Sequence, residues 1–423
     1  MGMRLNKSSQ LVLVGAAGLA VASLVTACSQ VTQTLTVDFV FVASSKAAGS
    51  NNYGEINVFE IDSESGHMRQ IPDSPFPSEG RDPVAEAVSS DYGSLFVVNQ
   101  DDNTVVQFVI GTDGKLYPFY TLNPPGVYPL GIATDAADMF VLETYQPLPT
   151  CSTAAPCSGS LAVFPLTAAT KSGPVQVGSA AVNPSLDTNY WPLTLSGTQA
   201  SDVIVPTGVS VLGSGSYVYV TAYDSSVTPH VGYIFGFAVG SGGVLTALSG
   251  SPYAAGVQPS AIATNSTAST SYVYATDFAN NDVLGYTVSS STGALAPMTT
   301  GTGGGNTFPS GNQPTAIAVD PSFPFVYVTN SLDASMTGYS VSNGALTPVG
   351  TYATGLDPVA IGIDPSTNHF VYSVNFLGNN VSGFELNETD GTLLNTQYSP
   401  YSSNALPTAV AAIPHNGTGA GVH

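Results

Sequence analysis

An acid stands where the pattern of the chain calls for a branched apolar residue. Glu86 is the third residue after Pro83 in PVAEAV, and six other proline-led segments carry Ile132, Val209, Ile262, Ile317, Ile361 or Val410 at that place. A carboxyl group in an apolar setting is costly to ionise unless it is paired, so its pKa rises. Such an acid beside cations can act as a general acid that protonates or polarises a substrate oxygen. Lys46 and Arg81 lie in neighbouring loops on the same side, and Glu143 is a further member of this candidate catalytic set. A plainer alternative is a local strand shift, or an acid satisfied by Arg81.

Other side chains offer less. Cys151 and Cys157 frame CSTAAPC and are expected to form one local disulfide, a metal pair being the alternative without a nearby histidine. Trp191, the single tryptophan, follows Asn189 and Tyr190 on a long insertion, where it can stack on a sugar or cover a channel mouth, or simply pack down. There is no GxSxG, HExxH or CxxC, and GTGGGN at Gly301 lacks the last glycine of a dinucleotide loop. Asp101-Asp102-Asn103 and the stretch from Asp277 to Asp282 lack known calcium-loop spacing, so turn chemistry is the reading there. No cofactor and no metal are expected.

The elements that must position these residues form a repeat. Seven hexapeptides alternate like half-buried strands: FVFVAS from Phe39, SLFVVN from Ser94, DMFVLE from Asp138, YVYVTA from Tyr217, YVYATD from Tyr272, FVYVTN from Phe325 and FVYSVN from Phe370. Six follow a proline-led strand, at Pro83, Pro129, Pro206, Pro259, Pro314 and Pro358, and a seventh such strand, PTAVAA at Pro407, ends the chain. The prolines are spaced by 46, 77, 53, 55, 44 and 49 residues. A third strand, a turn such as TDGKL or SNGAL, and a weaker fourth strand complete each unit. Four antiparallel strands at this period predict an all-β, seven-bladed propeller of four-stranded blades. Pairing of the orphan strands at the two ends closes the ring, hiding two edges that invite aggregation.

Seven second strands then end on one face, at Ser44, Asn99, Glu143, Ala222, Asp277, Asn330 and Asn375. Six of these are polar, and with Trp191 they make a candidate ligand-binding face. The plainer alternative is that terminal Asn and Asp cap turns.

Composition limits partners. Only 8% of residues are charged, against about 25% in typical soluble domains. Five basic residues against 28 acids follow residue 28, a balance of −23, and none follows Lys171. No broad basic face is available for phosphates, so nucleic acid is excluded as a partner. Residues 1–28 read as a signal segment: basic Arg4 and Lys7, an apolar run from Leu11 to Val25, and Val25-Thr26-Ala27-Cys28 as a lipobox. The expectation is acylation at Cys28, a membrane partner through that anchor, and export to the outer membrane or cell surface, facing periplasm or exterior. An ordinary cleaved secretory signal is the alternative. Residues 29–36 are then a linker, 37–414 the propeller with insertions near 144–160 and 182–204, and 415–423 a disordered tail.

The FVYVTN strand, its proline-led partner and the turn with Gly and Leu resemble the YVTN and lactonase-like seven-bladed propellers, which include the 6-phosphogluconolactonase type. That resemblance implies channel histidines and arginines, often just after the blade proline. Here those positions hold Val84, Leu130, Thr207, Ser260, Thr315, Val359 and Thr408, and the histidines (His67, His230, His369, His415, His423) lie elsewhere. The sequence therefore favours a noncatalytic envelope propeller that binds an envelope protein or glycan. A sugar-lactone hydrolase using Glu86 with Arg81 or Lys46 is the alternative.

Overall fold

The computed structural model describes residues 37–48, 50–151, 156–168, 173–195, 202–266, 270–365 and 370–414, excepting the side chains of 37, 46–48 and 266. The expected signal segment with Cys28, the linker and the tail after residue 414 lie outside the described residues. Seven antiparallel sheets follow one another along the chain. In blade 2, Pro83–Val88 pairs with Ser94–Asn99, then Thr104–Ile110, then Leu116–Leu122. The same order recurs in every blade. Blade 1 is closed as the sequence predicted: the C-terminal strand Pro407–Ile413 lies on the N-terminal strand Val37–Ala48, pairing Phe41 with Ala411.

The core is divided into seven apolar wedges, one between each pair of neighbouring blades. Alternate residues of each hexapeptide face opposite wedges, which is why the whole hexapeptide is buried in FVYVTN. Each buried Phe, Leu or Ile contributes about 1.5–3 kcal/mol, so wedge packing dominates stability.

A second device sets how blades meet. The first aromatic of the hexapeptide lies on a turn glycine of the next blade. A Cβ on Gly391 would sit 2.5 Å from the Phe325 ring, and Gly391 has φ +76°, so both space and backbone require glycine. The third residue, tyrosine, adds a hydrogen bond in blades 4 to 6, whereas the buried Tyr372 hydroxyl of blade 7 has no such partner. Tyr219 donates to the Gly293 carbonyl at 2.7 Å, Tyr274 to Gly344 at 2.8 Å and Tyr327 to Gly391 at 2.9 Å. Blades 1 to 3 carry Phe41, Phe96 and Phe140 there and lack the hydroxyl.

Candidate functional site

Call the upper face the one where innermost strands begin. All seven innermost strands shift register just after their proline, leaving the following residue out of the ladder. Proline has no N–H to give, so the ladder breaks there at little cost. The displaced residue reaches sideways instead. Ser260 donates to the Pro314 carbonyl, Thr315 to Pro358 and Thr408 to Pro83, each at 2.6 Å. These positions thus tie one blade to the next.

The polar strand ends sit directly opposite the prolines, and they are not an exposed ring. Asn99, Glu143, Asp277, Asn330 and Asn375 are all buried. Their partners are mostly the loops that enter the same blade. Asp277 accepts from the Val257 and Gln258 amides at 2.8 and 3.0 Å, and Asn330 accepts from Gly311 at 3.0 Å. Asn99 donates to the Ser78 carbonyl at 3.1 Å, and Asn375 donates to Asn380 at 2.7 Å. Glu143 accepts from the Gly126 amide at 2.6 Å and from the Ser160 hydroxyl, while burial pushes its carboxyl up to about 7. An acid or amide is used here because the entering loop presents backbone N–H groups that no strand can satisfy.

Arg81 and Glu86 each meet partners outside the proposed catalytic set. Arg81 is an exposed residue whose guanidinium pairs with Asp102 at 2.6 Å. Glu86 lies in the innermost strand with both carboxyl oxygens shielded, against the backbone of Ala411 in blade 1, and neither oxygen completes a hydrogen bond. Desolvation drives its pKa well above the usual carboxylate range. The equivalent Val410 packs against Gly362 of the preceding blade, so Glu86 occupies an inter-blade contact that is apolar elsewhere. The Lys46 side chain is outside the described residues.

Trp191 is also inside rather than on the face. It is 5% exposed and donates its indole N–H to the Leu245 carbonyl at 3.0 Å. Trp191–Pro192 pairs with the third strand of blade 3, opposite Leu161. Phe76, Tyr253, Phe308 and Tyr401 hold the corresponding place opposite Ile56, Ile234, Val283 and Val381. The insertion thus supplies a blade's outer aromatic. The repeated SPF and SPY at Ser74, Ser251 and Ser399 was the sequence signal for this strand. Cys151 and Cys157 are disulfide-bonded.

The family model described as lactonase, 7-bladed beta-propeller, matches residues 231–410. The chain is a seven-bladed propeller whose residues 231–410 are similar to the lactonase type. The periplasmic gluconolactonase of Pseudomonas aeruginosa is 17% identical with a TM-score of 0.65, over 90% of this chain and 100% of that one. A Bacteroides fragilis protein provisionally described as a 6-phosphogluconolactonase is 17% identical with a TM-score of 0.66, over 90% and 99%. A functionally unknown Desulfotomaculum acetoxidans protein is 10% identical with a TM-score of 0.60, over 89% and 98%. Likeness at these identities shows the fold. No curated protein matches the chain significantly in sequence.

What this propeller exposes at its upper mouth comes from the residues flanking the buried ring. Immediately before the blade prolines, Asp82, Tyr128, Gln313, Asp357 and Leu406 have left-handed backbones with φ of 53 to 60°. Such strain in non-glycine residues persists only where surroundings hold it. Here the Tyr128, Gln313 and Leu406 amides are held by Asn103, Asn281 and Asn379 at 3.0, 2.8 and 2.8 Å. Asp82 and Asp357 are half-buried, and burial raises both carboxyls. The inner hairpins of blades 3 and 4 run eight residues per strand, against six in blades 2, 6 and 7. Their extra length carries Tyr128 against Tyr145, ring centres 6.1 Å apart, and Tyr223 against His230 at 5.0 Å. Tyr145, Tyr223 and His230 were not singled out from sequence as mouth residues. An aromatic just beyond the hexapeptide was the available signal for both tyrosines.

Proposed function

We propose that the protein is a lipid-anchored, exported propeller that binds a neutral, polyhydroxylated ligand at its upper mouth without transforming it. The observation that carries this reading is that Arg81 is held by Asp102 while the Glu86 carboxyl is shielded against the Ala411 backbone. Hydrolysis needs an acid or base within reach of the bond, whereas binding needs only shaped contact. The Tyr128–Tyr145 pair of blade 3 and the Tyr223–His230 pair of blade 4 supply flat ring faces with polar rims, and Asp82, Asp357 and Gln313 supply polar groups beside them. That combination suits sugar rings. A phosphorylated ligand is disfavoured by the acidic mouth. Export and acylation rest on the lipobox at Cys28.

The test is calorimetry of the purified protein with neutral oligosaccharides. Saturable binding that is lost in Tyr128→Ala, with the fold intact by circular dichroism, is expected. Binding that survives Tyr128→Ala and Tyr223→Ala together contradicts the reading.

Hydrolysis of a neutral sugar lactone is the second reading. A specific observation favours it: Glu86 is an acid of raised pKa in an innermost strand. The Pseudomonas aeruginosa neighbour, titled a gluconolactonase, adds a fold-level analogy.

A further inference from the structure

The outer rim of the ring holds one surface unlike the rest. Outer strands are the free edges of a propeller, and an exposed apolar edge invites pairing or adsorption. Five blades blunt theirs by splitting the outer strand into two pieces of two or three residues. Only blades 2 and 6 present a continuous outer strand, Leu116–Leu122 and Ala345–Ala353. The blade 6 strand exposes Thr347, Pro348, Thr351 and Ala353. The blade 2 strand exposes Tyr117, Phe119 and Tyr120, each 40–48% accessible.

That strand lies where the chain enters the fold. A Cβ on Gly114 would lie 2.5 Å from the ring of Phe39, two residues after the first strand begins at Val37. Gly114 immediately precedes Lys115, with Tyr117 two residues further on, and Lys115 is bridged to Asp73 at 3.1 Å. Between Cys28 and Val37 stand eight residues, 29–36. Fully extended, that linker spans at most about 30 Å. An acyl chain on Cys28 would therefore keep a membrane surface within reach of these aromatics. Tyrosine and phenylalanine with a flanking lysine are the side chains that settle at a lipid headgroup boundary. Among the described residues no helix is long and apolar enough to cross a membrane, so contact would be peripheral.

We propose that Tyr117, Phe119 and Tyr120 form a lipid-docking edge that seats blade 2 on the membrane surface to which Cys28 is anchored. The inference rests on the lipid-anchor reading above. The formal charge of −21 disfavours anionic lipid, so the matching surface is zwitterionic.

The experiment is hydroxyl-radical footprinting of the full protein on phosphatidylcholine vesicles and of the Cys28→Ser protein free in solution, with intact mass reporting acylation of Cys28. Labelling of Tyr117, Phe119 and Tyr120 should fall about threefold or more on vesicles, while exposed Tyr398 and the blade 6 outer strand stay unchanged. Acylated protein with unchanged labelling overturns the docking edge alone. Unacylated protein mixed with vesicles decides the same way: reduced labelling retains the edge and sinks the anchor, and unchanged labelling sinks both. Protection already present in solution also overturns the proposal. If it depends on protein concentration the strand pairs with a second copy, and if it does not, the segment before Val37 covers it.

Discussion

Blades 4 to 7 and blades 1 to 3 solve the same packing problem differently. In the later blades a tyrosine hydroxyl of blades 4, 5 and 6 closes on a turn glycine of the next blade, and the contact positions of the innermost strands are Val or Ile throughout. In the earlier blades phenylalanine replaces that tyrosine, Glu86 replaces the branched residue, and blade 3 carries two insertions. The lactonase family model matches residues 231–410, which fall in blades 4 to 7 and the strand that closes blade 1. The regular half reads as the scaffold. The irregular half holds the features that scaffolding alone does not require: Glu86, the Tyr128–Tyr145 pair and the aromatic edge of blade 2.

The contrast can be broken at its strongest point first. Gly391→Ala forces a Cβ into Phe325 at a left-handed backbone and should cost roughly 3 kcal/mol in denaturant unfolding. Gly303, also left-handed but with nothing within 4 Å, should lose about 1 kcal/mol as alanine. Equal losses would mean that the ring contact carries no weight.

Glu86→Ile should move the other way, raising stability by about 1–3 kcal/mol by removing a buried carboxyl with no completed hydrogen bond. The pH dependence has a definite sign. The folded-state pKa is raised far above the unfolded value near 4.5, so above that value the folded chain holds a proton that the unfolded chain has lost. Stability from this group is therefore full below about pH 4.5 and falls by up to ~1.4 kcal/mol per pH unit above it, until the folded carboxyl ionises. Thermal unfolding of Glu86→Gln across pH 5 to 8 should lack that one-proton slope. An identical slope in the variant would show that Glu86 does not titrate as its burial requires.

The smallest effects sharpen the comparison. Tyr327→Phe should cost about 1 kcal/mol by leaving the Gly391 carbonyl without its donor. Phe41→Tyr, which places a hydroxyl toward the blade 2 turn at Gly114, should gain about 0.5 kcal/mol if the same tie can be installed in the irregular half. A loss there would show that the two halves differ in backbone geometry and not only in side chains.

Much of the architecture was legible in the sequence because its signals are local and repeated. Seven hexapeptides with period-two burial, prolines at near-constant spacing and glycine turns each report one strand or turn, and the ring closure follows from unmatched strands at the two ends. The site was less legible because it depends on which way a strand end turns. Asn99, Asp277, Asn330 and Asn375 were polar in a row, and polarity alone does not separate a rim from a buried cap; the entering loop, with its unpaired amides, decides it. Trp191 looked like a loop residue because the insertion around it hides its repeat position opposite Leu161. Glu86 was visible as an anomaly, but the hold of Asp102 on Arg81 was not, because it joins the loop entering blade 2 to a turn 21 residues further on.

The most direct measurement is hydrolysis of glucono-δ-lactone and its 6-phosphate by the purified protein, alongside Glu86→Gln. The account predicts no turnover above the uncatalysed rate for either lactone with a fully folded protein, and no difference between the two proteins. Turnover of the neutral lactone that disappears in Glu86→Gln would contradict it and make the inter-blade contact at Ala411 the active site.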